Sequence, residues 1–383
     1  MNFDYNEEQQ LVAASIQRFV EKDYGFETRR RIVASGEGWS REVWAQLAQL
    51  GLLGLALPAE HGGFGGGAMD LIAVMEAFGD ALLVEPFLST VALGAQFVAR
   101  GGTAVRRSEI LPGIAEGRLT MAFAHTERGA RYDLAGIATR ARRTEDGHAL
   151  DGEKRVVLHA PCADVLVVSA RTDGGDADAS GVSLFLVDAA APGVSMRRFR
   201  TLDGCIAADI AMRDVRVGRD ALIGEEGAGL ALIEEVVDFA TSLLCAEAVG
   251  AIAYANAATL EYLKTRKQFG VPIGSFQALQ HRMVDMMIAH EQAQSMASLA
   301  CATVDRESDP VARKRMVSAA KVKIADACRL ASQESVQLHG GMGMSEEMKV
   351  SHTFRRLTMI AQQFGDAEHH LERFAAVSEP RRN

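Results

Sequence analysis

The sequence predicts an α+β protein in three consecutive parts: a helical domain over residues 1–118, a β domain over 119–222 and a helical bundle over 223–383. Two changes of hydrophobic period carry that division. From Asn6 to about Arg118, in runs such as LVAASIQRFVEK and REVWAQLAQLGLLG, apolar residues recur at spacings of three and four, the period of an amphipathic helix. From about Leu119 the segments become short, partly alternating and bounded by turn residues, and the helical period returns beyond Ile223. A chain of 383 residues also exceeds what one hydrophobic core holds.

The first part is punctuated at Pro58, at residues 62–67 and at Pro112. Residues Gly63, Gly65 and Ala68 match the G-x-G-x-x-A dinucleotide pattern. They lie between helical segments, however, and no repeated βαβ pattern follows, so a flexible connection is the expectation. In the second part GIATRARRT, DVLVVSA, VSLFLV and IAADIAM read as strands, and DGGDADASG at residues 173–181 as a mobile exposed loop. The third part breaks at residues 305–310 and at the glycine-rich 340–343.

Composition excludes several classes. With 48% hydrophobic and 24% charged residues the chain is globular and not disordered. A net charge of −9 argues against a nucleic-acid surface. No run reaches the roughly 18 consecutive apolar residues of a membrane span, and the acidic start MNFDYNEEQQ does not read as a secretory signal. Five widely spaced cysteines read as reduced cytoplasmic thiols. His369 and His370 diverge by about 100° on a helix and have no second ligand pair, so no metal is expected.

Three segments carry candidate chemistry. In residues 262–280, YLKTRKQFGVPIGSFQALQ, Arg266 is a planar cation suited to phosphate or carboxylate, Phe269 is an apolar face beside it, and Gln277 is both donor and acceptor. The same features also describe a helix end with cations in its last turn, stopped by Gly270 and Pro272. Residues 124–133, AHTERGARYD, place Thr126 at a strand end, where its hydroxyl and nearby amides can meet one ligand edge. Residues 337–343, QLHGGMG, read as a helix stop whose glycines allow close backbone approach.

R-x-x-F-G-x-P-I-x-x-F-Q, followed by Q-x-x-G-G-x-G and preceded by the A-x-T-E segment, resembles the acyl-CoA dehydrogenases, and the agreement runs in order along nearly the whole chain. The resemblance implies that family's fold, with a C-terminal four-helix bundle that mediates tetramer formation. It also implies FAD as cofactor, an acyl-CoA substrate and electron-transferring flavoprotein as electron acceptor. Carried over residue by residue, Thr126 is a flavin contact, and Arg266, Phe269, Gln277, Gln337 and Gly341 hold the ADP half of a neighbouring subunit's FAD.

The chain departs from the family where the chemistry is expected. Arg128, Arg131 and Tyr132 replace Pro, Gly and Ser, and the flavin-packing M-W-I-T-N segment reads Arg155-Val156-Val157-Leu158-His159. The family's catalytic Glu stands at one of two positions, here Phe364 and Ala240, and the Arg after the second is Thr241. Asp366, two residues beyond Phe364, is the candidate base in this chain. The segment F-G-D-A-x-H-H at residues 364–370 resembles the bacterial pimeloyl-CoA dehydrogenase small-subunit type, which acts on dicarboxylic acyl-CoA alongside a large subunit. Three expectations follow: a heteromeric enzyme in which a partner supplies the base, a flavin-poor structural subunit, or a self-sufficient homo-oligomer using Asp366.

Overall fold

The computed structural model describes residues 6–378. Six helices come first: α1 (Glu7–Lys22), α2 (Phe26–Ala34), α3 (Arg41–Gln49), α4 (Ala68–Ala81), α5 (Ala95–Gly101) and α6 (Ala104–Ala115). Asn6 starts α1 in a reciprocal cap: its side-chain oxygen accepts from Gln9 N at 2.8 Å, and Gln9 Oε1 accepts from Asn6 N at 3.0 Å. Eight strands follow: β1 (Met121–Ala124), β2 (Arg140–Arg143), β3 (Gly147–Leu158), β4 (Val165–Arg171), β5 (Val182–Asp188), β6 (Val194–Arg200), β7 (Ile206–Gly218) and β8 (Leu222–Ile223). The chain ends in α7 (Gly229–Thr265), α8 (Gln277–Arg306), α9 (Pro310–His339), α10 (Lys349–Gln362) and α11 (Ala367–Ser378).

Two compact units each draw on separated stretches of chain. One takes the chain up to Arg30, Gly67–Leu83 and everything from Thr241; the other takes Arg31–Gly66 and Val84–Ala240. The second unit holds a mixed sheet in the order β6-β7-β3-β2-β4-β5-β8, with β1 parallel to β4. Alternation on β4 explains its core: Leu166, Val168 and Ala170 join Phe185 and Val187 of β5 and Ala208, Ile210 and Met212 of β7. β3 and β6 carry no clean alternation. β3 contains Gly147, Gly152 and the fully buried Lys154, and its register with β7 slips twice, between Leu150 and Gly152 and between Lys154 and Val157. β6, VSMRRFR, is an edge strand and mostly exposed.

In the 173–181 loop residues 173–180 are exposed, as their composition predicts, but the backbone is tied down where a mobile loop is expected. The buried Arg171 donates to the carbonyls of Ala135, Ile137, Asp176, Asp178 and Ser180 at 2.7–3.3 Å. Five carbonyl dipoles stand in for a carboxylate around that cation.

Helix α7 is apolar and long enough to cross a membrane, yet 94% of its most apolar window is buried in the protein, which makes it a core helix. It crosses α4 at a glycine pair: a Cβ on Gly250 would fall on the Glu76 carbonyl oxygen, and one on Gly79 on that of Glu247. Arg356 of α10 is bound to α7 by a two-pronged pair with Glu247, Nε to Oε1 at 2.6 Å and Nη2 to Oε2 at 2.9 Å. All five cysteines are free.

The glycine run before α4 is not a phosphate cradle. Ala68 N and Met69 N, the first amides of α4, donate to the Asp305 carboxylate at 2.7 and 2.9 Å. That helix end already holds its own anion.

Candidate functional site

The residues that end α7 do not simply stop a helix. After Thr265 the chain makes a two-residue hairpin turn, with Val271 paired to Gln268 and Pro272 to Lys267. Both central residues lie in the left-handed region, Phe269 at φ 54° and Gly270 at φ 81°, as a type I′ turn requires. Glycine takes that conformation freely, but an aromatic residue there is strained. Phe269 is also 92% exposed, and its nearest ring is Phe276, edge-on at 6.2 Å.

The hairpin forms one rim of an open groove of 570 Å³. Tyr262 comes to it from α7 and Arg266 from just past its end, Leu279 and Arg282 from α8, and Gln337 through His339 from α9, with Gly340 to Met342 closing the end. Leu263, Met283, Met286 and Leu338 form a small core in this region, with Ile273 and Leu279 packed on it. Arg282 is neutralised by Glu334 at 2.5 Å, whereas the Arg266 guanidinium has no side-chain partner among the described residues. A Cβ on Gly340 or Gly341 would meet nothing within 4 Å, so these glycines leave the groove end open to a ligand.

Of the residues expected at the cofactor, Arg266, Gln337 and Gly341 therefore share one groove. Phe269 stands on the hairpin beside it, and Gln277 is exposed at the start of α8; neither lines it. An unpaired cation over apolar side chains and open glycine backbone fits the phosphate-bearing end of FAD. His339 and Tyr262, whose rings stack at 4.5 Å, are groove residues that the motif reading passes over. The signal for them is the aromatic three residues before Thr265 and the histidine inside QLHGGMG.

Thr126 belongs to the other unit, just past the end of β1. Its side chain is exposed, and its carbonyl accepts from Arg155 N at 2.7 Å. Beneath it lies a buried polar cluster. Lys154 Nζ donates to Glu127 Oε1 at 2.6 Å, Ser169 Oγ at 3.1 Å and His125 O at 3.2 Å. The same Glu127 carboxylate accepts from Ala138 N at 2.7 Å and Thr139 N at 3.1 Å, closing the neck of the loop between them. Burial acts to raise the Glu127 carboxyl, but Lys154 and the amide donors hold it below the usual range. His125 pairs with Ser169 Oγ at 3.0 Å and is pushed down to about 3 by burial and by Lys154.

The segment aligned with the family's flavin wall has other occupations. Arg155 pairs with Asp209 and Glu153, and Val156, at φ 50°, is 49% exposed. His159 is buried: Nε2 donates to Val84 O at 3.1 Å and Nδ1 accepts from Ser89 Oγ at 2.9 Å. Both His125 and His159 are thus internal polar residues. An aromatic wall and a hydroxyl donor for the isoalloxazine are absent from this segment, so the isoalloxazine end of FAD fits this chain less well than the phosphate end.

Asp366 sits in a third place. The loop after α10 passes through Phe364 at φ 60° and Gly365 at φ 121°, and the buried Lys321 fastens it by donating to the carbonyls of Ile360, Ala361 and Gly365 at 2.9, 3.2 and 2.7 Å. His370 Nε2 donates to Phe364 O at 3.0 Å, which occupies the ring in the fold. Asp366 Oδ1 accepts from His369 N at 2.9 Å and so caps α11. The residue lines a 360 Å³ cavity together with Asp326, Arg329, Gln333 and Glu368. Ala240, at the other base position, is fully buried in α7.

Sequence profiles of the acyl-CoA dehydrogenase N-terminal, middle and C-terminal domains match residues 6–118, 122–215 and 227–378. The chain belongs to the acyl-CoA dehydrogenase family. It is 33% identical over 367 residues to the acyl-CoA dehydrogenase FadE12 of Mycobacterium tuberculosis, covering 94% of this chain and 93% of that protein. It is 30% identical over 356 residues to the caffeyl-CoA reductase-Etf complex subunit CarC of Acetobacterium woodii, covering 92% and 93%. Among solved structures, a chain of the ChsE4-ChsE5 complex from Mycobacterium tuberculosis superposes with TM-score 0.89 at 26% identity, covering 99% and 100%. PigA with FAD and proline superposes with TM-score 0.90 at 27% identity, covering 98% of each chain. The fold is that of an acyl-CoA dehydrogenase, with a helical N-terminal domain, a middle β domain and a helical C-terminal domain.

Proposed function

We propose that this chain is one subunit of a heteromeric, FAD-dependent acyl-CoA dehydrogenase that desaturates a CoA thioester between its α and β carbons. In this assembly it clamps the ADP end of a cofactor whose reacting ring lies against a partner subunit carrying the catalytic Glu. The observation that carries the reading is a division within the chain. Arg266, Gln337 and Gly341 converge on one groove, while Ala240 and Phe364 leave both base positions without a proton acceptor. FAD, when bound, supplies the hydride acceptor for the substrate's β carbon. Arg266 would neutralise phosphate charge and Gln337 would hydrogen-bond the ligand; Phe269 and Gln277 would join once a partner covers the hairpin. Thr126 would be a polar contact to the flavin edge only in the homo-oligomer, where this chain holds a cofactor ring of its own.

Two kinds of relative support a paired assembly: ChsE4-ChsE5 is a complex of two named components, and CarC is a subunit of a complex with Etf. By analogy with CarC the electron acceptor is electron-transferring flavoprotein; a tetramer is what the family resemblance implies, and the reduced thiols suit the cytoplasm. The match of residues 364–370 to the pimeloyl-CoA dehydrogenase small-subunit type favours a dicarboxylic acyl-CoA. Co-expression with a related dehydrogenase subunit, followed by counting FAD per chain, tests the proposal. Fewer FAD than chains, with turnover only in the pair, is the expected result. One FAD in every copy of this chain, with turnover alone, would favour the homo-oligomer that uses Asp366 as base.

A further inference from the structure

His352, in the first turn of α10, is buried with its ring between a cation and a backbone carbonyl. Arg29 of α2, itself buried, brings Nη1 to 3.1 Å from His352 Nδ1. A guanidinium only donates, so Nδ1 is the acceptor, and Nε2 carries the single ring proton and donates it to Glu346 O at 3.0 Å. Arg29 also donates through Nε to Leu82 O, just past the end of α4, at 2.7 Å, and Phe26 of α2 meets the imidazole edge-on at 4.9 Å. The neutral ring thus joins the start of α2 to residues 345–348 and to α10.

A second proton has one place to go. On Nδ1 it turns the acceptor into a donor aimed at a guanidinium, and it sets two positive charges across the 3.1 Å that the hydrogen bond now spans. The charged groups around the ring are Arg29 from α2, Arg355 from α10 and Glu346 from the segment before it; Lys349 is engaged by Asp80 of α4, and Arg30 by Glu27. Burial, with both arginines, lowers the imidazole pKa from 6.5 against the pull of Glu346. A released ring has a receiver, since Glu346 Oε2 is 3.3 Å from Nε2 on a side chain that is 64% exposed.

We propose that His352 is an acid-sensitive latch: its neutral ring holds the start of α2 to the start of α10, and a second ring proton releases the pair. Residues 345–348 continue the turn whose Gly340 to Met342 close the groove, so the latch stands at the root of that wall. The inference does not depend on which ligand the groove takes.

The test is hydrogen–deuterium exchange of the full-length chain, corrected for the intrinsic pH dependence of amide exchange, on wild type, His352→Gln and His352→Leu. The Gln amide reproduces both hydrogen bonds of the neutral ring and Leu neither, and neither side chain titrates. In wild type, peptides spanning residues 26–30 and 345–353 should lose up to about tenfold in protection between about pH 7.5 and 5.5, the factor by which a freed imidazole of ordinary pKa gains protons over that range. Peptides from α7 report global opening and should lose less. His352→Gln should stay protected at both values, and His352→Leu should be exposed at both. Wild-type protection that falls no more than that of α7 overturns the latch, and this outcome needs no variant. So does a wild-type fall that persists in either folded variant.

Discussion

Lys154 Nζ and Glu127 Oε1 lie 2.6 Å apart, the lysine fully buried and the glutamate nearly so. Lys154 also donates to Ser169 Oγ and to His125 O beside Thr126, and Glu127 accepts from the amides of Ala138 and Thr139 at the far end of the loop. The pair therefore fixes both sides of the loop that carries the candidate flavin contact.

Removing one member leaves a buried charge uncompensated. Lys154→Met should cost about 3–5 kcal/mol, and replacing both, as in Lys154→Met with Glu127→Leu, should cost less than the single change. Urea unfolding of the three proteins gives the comparison. A single variant within about 1 kcal/mol of wild type would mean that the pair is not what holds the loop.

Acid should destabilise the protein early. His125 and His370 are both pushed from 6.5 down to about 3, chiefly by burial, with Lys154 adding to the first and Lys321 to the second. Above pH 6.5 the imidazoles are neutral in folded and unfolded chains alike. Between about 6.5 and 3 only the unfolded chain takes up these protons, so their stabilising contribution is complete above 6.5 and is lost progressively toward 3. Denaturation midpoints should fall from pH 7 to pH 5, and the fall should be shallower in His370→Gln, even though that variant starts lower. An equal slope in the variant would remove His370 from the account.

Gly250→Ala tests the helix crossing. The added methyl meets the Glu76 carbonyl, which is backbone and cannot rotate away, so the change should cost about 1–3 kcal/mol or more, against the roughly 1 kcal/mol gain that Ala brings inside an exposed helix. A thermal midpoint at or above wild type would show that the helices separate freely there.

How much of this was legible in the sequence differs from one residue to the next. Arg266, Gln337 and Gly341 stand out because each belongs to a short motif, but their meeting depends on the ends of α7 and α9 lying side by side, which no spacing encodes. Phe269-Gly270 reads as a helix stop, whereas the chain uses it as the turn of a hairpin, because Gly270 permits the left-handed conformation and Phe269 tolerates it. β3 carries no legible period because Lys154 puts a charge where alternation demands an apolar residue, and its partner Glu127 is 27 residues away. Asp305, which fills the N-terminus of α4, is 237 residues from Ala68. Long-range polar pairs of this kind leave no periodic trace.

The last prediction separates structure from chemistry at Asp366. Its carboxylate caps α11 through the amide of His369, and the loop before it is fastened by Lys321. Asn caps a helix about as well as Asp, so Asp366→Asn should melt close to wild type, whereas Asp366→Ala should lose about 1 kcal/mol. The Asn side chain cannot take a proton from a substrate, so acyl-CoA-dependent bleaching of the flavin distinguishes the two roles. With the base on a partner subunit, the assembled enzyme carrying Asp366→Asn should bleach at the wild-type rate. If bleaching disappears while FAD content and melting are unchanged, Asp366 is the base and the chain is catalytically self-sufficient.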